Sequence, residues 1–257
     1  MQERLEQSLQ LPHPEGGFLQ TTLSAPNGGI GSEVVLYVHG FGSVRNGHKA
    51  RAVKKACTAR DWTFVAADFR GHGRSSGTML DLCGSGLQAD LDVVLAHLTS
   101  QGMRRLYLVG SSMGGWASSW LSLRRPELIG ACALLAPSFD FANGRWNELS
   151  PDRQKEWQTN GKIRFRNRFL DVELGYRLVD ERERFPVERL AQEWQAPALI
   201  IHGMKDEIVP YQKSLAFVEQ LQYDQVELRL IKDGDHRLQK DRERIAEEVC
   251  RFFACWM

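Results

Sequence analysis

Short apolar runs rich in β-branched and aromatic residues alternate along most of the chain with longer segments whose apolar residues recur at helical spacing. The runs predict buried strands and the longer segments predict helices, because the two structures bury side chains with different periods. The predicted strands span 18–23, 33–39, 62–68, 106–109, 129–136, 198–202 and 226–231. The predicted helices span 49–60, 86–100, 116–123, 211–221 and 240–253. This alternation predicts an α/β fold whose mostly parallel sheet is covered by helices on both faces.

Two segments depart from this pattern. Residues 1–17 are polar and are broken by prolines and glycines, so we predict no element there. Residues 138–195 have poor apolar periodicity, with a predicted helix at 151–158 and a predicted strand or hairpin arm at 162–170. We interpret 138–195, called the insertion below, as a lid on a single domain spanning 1–257. Its place between two strands would let it cover the carboxyl ends of the sheet, where ligands bind in open α/β folds.

Composition excludes several classes of protein. The formal net charge is +1, which gives no general attraction to nucleic acid or to an anionic membrane. The five cysteines are scattered without paired spacing, which argues against a disulfide framework and against a zinc site. No apolar run approaches membrane-spanning length, and the first 11 residues lack the apolar core of a signal peptide. We therefore expect a cytoplasmic protein without a membrane span, of undetermined oligomeric state.

The stretch from Gly110 to Gly114 reads GSSMG and fits the pattern G-x-S-x-G, with Ser112 in the serine position. It lies between a predicted strand and a predicted helix, which is the context that a nucleophile elbow requires. In such a turn the serine backbone is strained, and the residues two before and two after it come too close for side chains. Ser111 fails this test, because its flanking positions are Val109 and Met113. The context favours Ser112 as a nucleophile over an incidental serine in a glycine-rich turn.

A serine nucleophile needs an adjacent base, and the base needs an acid that orients it. This motif goes with the chain order serine, acid, histidine, and of the seven histidines only His202 and His236 follow Ser112. His202 ends a predicted strand, where packing explains it, whereas His236 lies in the loop after the last strand. We predict His236 as the base. Asp206, in the loop after the penultimate strand, is favoured as the acid over Asp140, which could also reach the histidine.

The attack of a serine on a carbonyl places negative charge on an oxygen, which two backbone N–H groups can stabilise. One belongs to the residue after the nucleophile, Met113, where the amino end of the helix also favours an anion. The other is expected from the loop His39-Gly40-Phe41-Gly42, which follows an early strand. We therefore predict an oxyanion hole formed by the N–H groups of Phe41 and Met113.

A basic alternation in the insertion has two interpretations. It consists of Lys162, Arg164, Arg166 and Arg168. These cations could attract an anionic substrate. The favoured interpretation is a solvated strand face paired with Asp171 and Glu173.

Five motifs occur in a fixed order from about residue 34 to residue 253: HGFGS, DFRGHGRSSG, GSSMGGW, HGMKDEIVP and DGDHRL. This set resembles the α/β-hydrolase superfamily. Within it the chain is similar to small carboxylesterases, including cinnamoyl and feruloyl esterases, and to the palmitoyl-protein thioesterase and acyl-glucuronide esterase branch. The resemblance implies a triad of Ser112, Asp206 and His236 and no cofactor. It does not imply a substrate, because the fold carries many activities.

These observations favour a serine hydrolase that acts on a small carboxylic ester with a short-chain or aromatic acyl group. The insertion is too short and too polar to enclose a long acyl tunnel, and its aromatic residues could supply apolar walls. These residues are Phe139, Phe141, Trp146, Trp157, Phe165 and Phe169. An acyl thioesterase and a serine peptidase are alternatives. A catalytically silent binding protein on the same fold is an alternative of another class.

Overall fold

The computed structural model describes residues 4–27, 29–166 and 170–257. Its strands are β1 (Arg4–Pro12), β2 (Phe18–Pro26), β3 (Glu33–Val38), β4 (Thr63–Ala67), β5 (Arg105–Ser111), β6 (Ile129–Leu135), β7 (Lys162–Arg166), β8 (Asp171–Gly175), β9 (Ala198–Gly203) and β10 (Val226–Ile231). Its helices are α1 (His48–Thr58), α2 (Gly84–Ser100), α3 (Met113–Arg124), α4 (Phe141–Asn147), α5 (Pro151–Asn160), α6 (Arg177–Asp180), α7 (Val187–Gln192), α8 (Gln212–Gln220) and α9 (Arg242–Phe253). The predicted strands and helices are all present.

The main sheet has the strand order β1-β2-β4-β3-β5-β6-β9-β10 within the described chain. From β4 to β10 neighbouring strands are parallel, whereas β2 runs antiparallel to both β1 and β4. The predicted α/β class with a mostly parallel sheet is confirmed. Since parallel strands end at the same edge, the loops after β3, β5, β9 and β10 open on one side of the molecule.

The amino terminus differs from the prediction. Residues 4–12, for which no element was predicted, form β1 and pair with β2 along their full length. Leu5, Leu9 and Leu11 alternate with polar residues, and this period of two is the pattern of a strand at the edge of a sheet. Of the residues that suggested irregular chain, Pro12 ends β1, and Pro14, Gly16 and Gly17 lie in the turn of this hairpin, where the two glycines have φ of 98° and 76°.

The core lies on both faces of the sheet. On β3, Val34, Leu36 and Val38 face one apolar cluster, and Val35 and Tyr37 face the other. Helices α1 and α9 cover the second face, while α2, α3 and α8 pack on the first. Burial on both faces explains why the central strands are continuous apolar runs in the sequence.

The insertion lies between β6 and β9, and its buried apolar residues join the cluster on the first face of the sheet. Trp157 on α5 is fully buried and donates a hydrogen bond from its indole nitrogen to the carbonyl of Leu174 (3.1 Å). Strands β7 and β8 form a separate hairpin. The predicted helix at 151–158 is α5, and the predicted arm at 162–170 is β7 as far as Arg166. Its next three residues, 167–169, lie outside the described chain.

Candidate active site

Ser112 occupies a sharp turn between β5 and α3, with φ of 54° and ψ of −117°. A Cβ atom on Gly110 would lie 2.5 Å from the carbonyl oxygen of Gly114, so the close approach predicted for these two glycines is present. A Cβ atom on Gly114 would lie 2.1 Å from the carbonyl oxygen of Val38 at the end of β3. The turn is therefore pressed against the neighbouring strand as well as against itself.

Ser112, His236 and Asp206 meet at the carboxyl edge of the sheet. The Ser112 hydroxyl lies 3.0 Å from Nε2 of His236, and Nδ1 of His236 lies 2.7 Å from Oδ2 of Asp206. The strand order explains the meeting, because the loops after β5, β9 and β10 carry the three side chains and these strands lie within one half of the sheet. Asp140, the competing acid, instead pairs with Lys213 on α8 (2.7 Å).

The Asp206 carboxylate is enclosed and fully engaged. Its Oδ1 accepts the backbone N–H groups of Ile208 and Val209, each at 2.8 Å. Its Oδ2 accepts from His236 and from Nε2 of His202 (3.1 Å). Burial by itself raises the pKa of Asp206, but the hydrogen bonds from His202 and His236 outweigh it and hold the pKa well below its usual range. Asp206 is therefore an anion that faces the imidazole of His236.

The loop after β3 lies directly against the serine turn. A Cβ atom on Gly40 would lie 3.0 Å from the Ser111 carbonyl oxygen and 3.2 Å from Cβ of Ser112, so a larger residue would have to push this turn away. His39 is fully buried; it accepts the Phe69 N–H through Nε2 (3.1 Å) and donates through Nδ1 to the Gly40 carbonyl (2.8 Å). Burial and the neighbouring His72 lower the pKa of His39 to about 4, so the ring is neutral. Because the Gly40 carbonyl and the Phe41 N–H belong to one planar peptide, His39 fixes the direction of that N–H.

The two predicted oxyanion donors lie on either side of the contact between the loop after β3 and the Ser112 turn. The Phe41 N–H lies in the loop after β3, and the Met113 N–H is the first of α3, where a helix leaves its amides without intrahelical partners. Among the described residues neither N–H has a backbone acceptor. Both groups are therefore free to bind an oxygen, and their role in catalysis stays a prediction.

Ser112 opens into a cavity of 430 Å³ between the insertion and the loops after β9 and β10. Its apolar lining comes from Phe41, Phe165, Leu170 and Ile208, and its charged lining from Arg145, Arg166, Lys205, Glu207, Asp235 and Arg237. Smaller cavities of 260 Å³ adjoin Ser112 on the sides of α1 and α4. The cavity at the serine thus has both aromatic and charged walls.

Arg145 on α4 lines the cavity, although it belongs to none of the motifs found in the sequence. Its guanidinium lies over the rings of Phe41 (5.3 Å) and Phe165 (5.8 Å). Burial lowers the pKa of Arg145, and Glu148 is its partner at 3.9 Å. Arg145 thereby ties the insertion to the loop that carries the Phe41 N–H.

The aromatic residues of the insertion divide between packing and cavity wall. Phe139 is buried and stacks on Phe217 with ring centroids 3.8 Å apart, and Trp146 packs on Tyr176. Phe165 lines the larger cavity and Phe141 the smaller one beside α4. Trp157 has its place in the centre of the insertion, and Phe169 lies outside the described residues.

The basic alternation of β7 follows the favoured interpretation at its described positions. Lys162 pairs with Glu173 (3.0 Å) and Arg164 with Asp171 (2.6 Å) across the hairpin. Arg166 lies 3.8 Å from Asp171 and also lines the cavity. Arg168 lies outside the described residues.

The part of the chain that the structure describes lacks the features of a metal site and of a membrane span. No group of three or more His, Cys, Asp or Glu side chains there is arranged to hold a metal ion. Among the same residues no helix has the length and apolar character needed to cross a bilayer.

The fold and its relatives make this chain an α/β-hydrolase. The mouse α/β-hydrolase domain-containing protein 10 superposes with a TM-score of 0.81 at 27% identity, over 97% of this chain and 98% of that one. The ferulic-acid complex of Est1E from Butyrivibrio proteoclasticus superposes with a TM-score of 0.85 at 20% identity, over 97% and 99% of the two chains, and supports the fold alone. The chain belongs to the prolyl oligopeptidase family, whose profile matches residues 48–257.

Among curated proteins, the chain is 30% identical over 219 residues to the palmitoyl-protein thioesterase ABHD10, mitochondrial, of Mus musculus. The match covers 84% of this chain and 72% of the mouse protein. The predicted resemblance to the palmitoyl-protein thioesterase branch is confirmed. The name of the mouse protein assigns it to mitochondria, and the cytoplasmic location expected for this chain stays a prediction.

Proposed function

We propose that this protein cleaves carboxylic esters through an acyl-enzyme, with Ser112 as the nucleophile, His236 as the base and Asp206 as the orienting acid. The observation that carries the proposal is the unbroken series of hydrogen bonds from the Ser112 hydroxyl through His236 to the buried Asp206 carboxylate. A serine hydroxyl is a poor nucleophile, and this arrangement supplies a base whose tautomer is fixed. The adjoining cavity gives an acyl group access to the serine.

In this mechanism Oγ of Ser112 attacks the ester carbonyl while Nε2 of His236 takes the hydroxyl proton. The N–H groups of Phe41 and Met113 bind the oxyanion, each stabilising the transition state by roughly 3–4 kcal/mol. Cleavage of the bond to the leaving oxygen then releases the alcohol, which receives the proton from His236. Water attacks the acyl-enzyme by the same route and releases the acid. Asp206 stays ionised and stabilises the imidazolium in both halves.

The insertion serves in this proposal as a lid over the single domain, and its wall selects the acyl group. Phe41 and Phe165 offer aromatic surface close to the serine, which suits a short or aryl acyl chain. A longer acyl chain would meet the charged side chains that line the cavity. A methylene gains about 0.8 kcal/mol only where it is buried against apolar groups. We therefore expect long acyl chains to be poor substrates.

Thioester hydrolysis is the second candidate, and the observation in its favour is the similarity to the palmitoyl-protein thioesterase of Mus musculus. The same nucleophile and oxyanion hole serve both reactions, and a thiolate leaves more readily than an alkoxide. The family name also keeps peptide hydrolysis as an activity to assay.

The proposal is tested by reacting the wild-type protein with a fluorophosphonate and locating the adduct by peptide mass spectrometry. We expect one adduct on Ser112, and p-nitrophenyl acetate hydrolysis that stops in step with labelling. Ser119, a buried serine on α3 that donates to the Gly115 carbonyl, provides a matched control position, and Ser119→Ala should label normally. An unlabelled and inactive wild-type protein would support the silent binding protein instead.

A further inference from the structure

His202 is a buried histidine that the proposed mechanism does not use. It lies near the end of β9, four residues before Asp206, and its side chain has no exposed surface. Its Nε2 lies 3.1 Å from Oδ2 of Asp206, the same oxygen that accepts from His236 at 2.7 Å. One carboxylate oxygen therefore lies between two imidazoles.

The surroundings of the His202 ring determine which nitrogen carries the proton. Nε2 faces two acceptors, the Asp206 carboxylate and the carbonyl of Val209 at 2.9 Å. Nδ1 faces the buried hydroxyl of Ser214 on α8 at 2.8 Å, which can donate. A neutral ring with its proton on Nε2 accepts from Ser214 and shares its one N–H between the Asp206 carboxylate and the Val209 carbonyl. His202 in this state donates to Asp206 and links it to the sheet and to α8.

We propose that His202 is a positioning residue, which by donating to Oδ2 of Asp206 holds the carboxylate against His236 and moderates the negative charge presented to it. The inference rests on the proposed function, since it assigns His202 a part in preparing His236 as a base. The remaining carboxylate oxygen is held by the backbone N–H groups of Ile208 and Val209. His202 is therefore the side chain that controls the oxygen facing the base.

The proposal predicts the direction in which the pH dependence of activity shifts when His202 is replaced. Without His202, Oδ2 of Asp206 loses one of its two side-chain donors. Its negative charge then stabilises the His236 imidazolium more strongly. The base then needs a higher pH to lose its proton, so the acid limb of the pH–rate profile moves upward. Among the described residues, other charged groups near the pair are Lys49 on α1, Lys205 and Glu207 in the loop after β9, and Asp235 and Arg237 in the loop after β10; the substitution leaves all of them in place.

The experiment compares pH profiles of kcat/KM for the wild type, His202→Leu, His202→Gln and Ser214→Ala with p-nitrophenyl acetate. In His202→Leu we expect kcat about 10- to 100-fold lower with KM little changed, because the base is misplaced and the cavity is untouched. We also expect its acid limb to lie roughly half a pH unit higher. In His202→Gln, whose amide can donate to Asp206, most of kcat and the wild-type limb should return.

The Ser214→Ala variant distinguishes the hydrogen bond that His202 donates to Asp206 from the other contacts of the His202 ring. It removes the partner of Nδ1 but leaves Nε2 able to donate, so its acid limb should match the wild type. An unshifted or downward limb in His202→Leu, or the same shift in Ser214→Ala, would overturn the proposal while the wild-type activity keeps the proposed function intact. A wild-type protein that is inactive and unlabelled by fluorophosphonate would overturn both.

A measurement on the wild type keeps the test independent of how well the leucine variant folds. Long-range ¹H–¹⁵N spectra of the protein labelled with ¹⁵N-histidine report the tautomer of each ring. We expect His202 to be neutral and protonated on Nε2 through the pH range in which activity appears. A resonance assigned to His202 with its proton on Nδ1 would overturn the proposal.

Discussion

The backbone of Ser112 has a conformation that residues with a side chain rarely adopt, with φ of 54° and ψ of −117°. Conformations of this kind cost on the order of 1–3 kcal/mol and persist where the surrounding structure enforces them. Here β5, α3 and the end of β3 enforce it, because Gly110 and Gly114 allow a contact that no other residue fits. The result is a hydroxyl raised above the edge of the sheet toward His236.

Two substitutions at Ser112 separate strain from chemistry. Ser112→Ala removes the hydroxyl and keeps the strain, whereas Ser112→Gly removes both. We expect the glycine variant to have a free energy of unfolding about 1 kcal/mol above that of the alanine variant, because relief of strain exceeds the entropic cost of glycine. Urea titration measures this difference. Both variants should lose kcat by about 10⁴-fold or more. A glycine variant that is less stable than the alanine variant would contradict strain at this position.

The two candidate acids provide a matched pair. Asp206→Asn should lower kcat by about 10⁴-fold, because an amide in place of the carboxylate favours the wrong tautomer of His236. Asp140→Asn should leave kcat within about threefold, since Asp140 pairs with Lys213 and not with His236. Steady-state kinetics on one ester decide the matter. A larger loss in Asp140→Asn would move the acid to the loop after β6.

At the scale of single residues, the sequence allowed prediction of those site residues that can be recognised from a short stretch of chain. Ser112 follows from the elbow pattern, and Asp206 and His236 follow from their places after the last two parallel strands. Arg145 could not be found in this way, because only the fold places its guanidinium over Phe41. For His202 the available signal was an imidazole four residues before the predicted acid, which sequence reasoning assigned to packing.

At the scale of elements, the loops after β3 and β4 behave as one unit, and His39 joins them. Its ring accepts from Phe69 in the second loop and donates to Gly40 in the first. Asp68, also fully buried, pairs with Arg45 in the first loop and accepts the N–H of Arg74 in the second (3.0 Å). The direction of the Phe41 N–H is therefore set by contacts between two loops.

The neutral state of His39 predicts how stability depends on pH. Its pKa is about 4 in the folded protein, lowered by burial first and by His72 second. An unfolded histidine titrates near about 6.5, so between these values the unfolded chain binds a proton that the folded chain does not. The free energy of unfolding should fall as the pH drops from about 6.5 toward about 4, by on the order of 3 kcal/mol. Above that range this group contributes no pH dependence.

The control for this prediction is His39→Asn, whose amide can donate to the Gly40 carbonyl but does not titrate. Urea titrations at about pH 7, 5.5 and 4.5 give the free energy of unfolding of both proteins. We expect the wild type to lose more stability than the variant across this range. Equal losses would mean that His39 is not held neutral in the fold.

Elements were predictable where burial on both faces leaves continuous apolar runs, as in β3 and β6. Strand β1 was missed because it lies at the sheet edge and carries apolar residues at alternate positions only. Its partner β2 supplies the pairing that stabilises it, and that pairing is not visible in the polar segment itself. Propensity is a weaker guide at an edge than in the centre of a sheet.

At the scale of the whole molecule, the sheet brings Ser112, His236 and Asp206 to one edge, and the insertion lines the cavity beside Ser112. The parallel order of β5, β6, β9 and β10 follows from the alternation of strands and helices along the chain. This order also brings Ser112, Asp206 and His236 together. The sequence did not predict that several charged side chains would line one cavity. Arg145 and Arg166 come from the insertion, and Lys205 and Arg237 from two loops far apart in the chain.

The cavity therefore makes a prediction about acyl length. A short acyl group would contact Phe41 and an aryl group would extend to Phe165, while a long chain would meet the charged side chains that line the cavity. Since each methylene gains about 0.8 kcal/mol only on burial against apolar groups, kcat/KM should stop rising after a few carbons and then fall. We expect the maximum among acetyl to hexanoyl or benzoyl esters of p-nitrophenol.

The deciding measurement is kcat/KM across acyl lengths, on oxygen esters and on matched thioesters. Phe165→Ala tests whether the aromatic wall sets the preference: its loss should lower kcat/KM for benzoyl esters more than for acetyl esters, because only the larger group reaches the ring. A maximum at palmitoyl chains would contradict the proposed pocket. A strong preference for thioesters at every length would instead assign this protein the activity named for its Mus musculus relative.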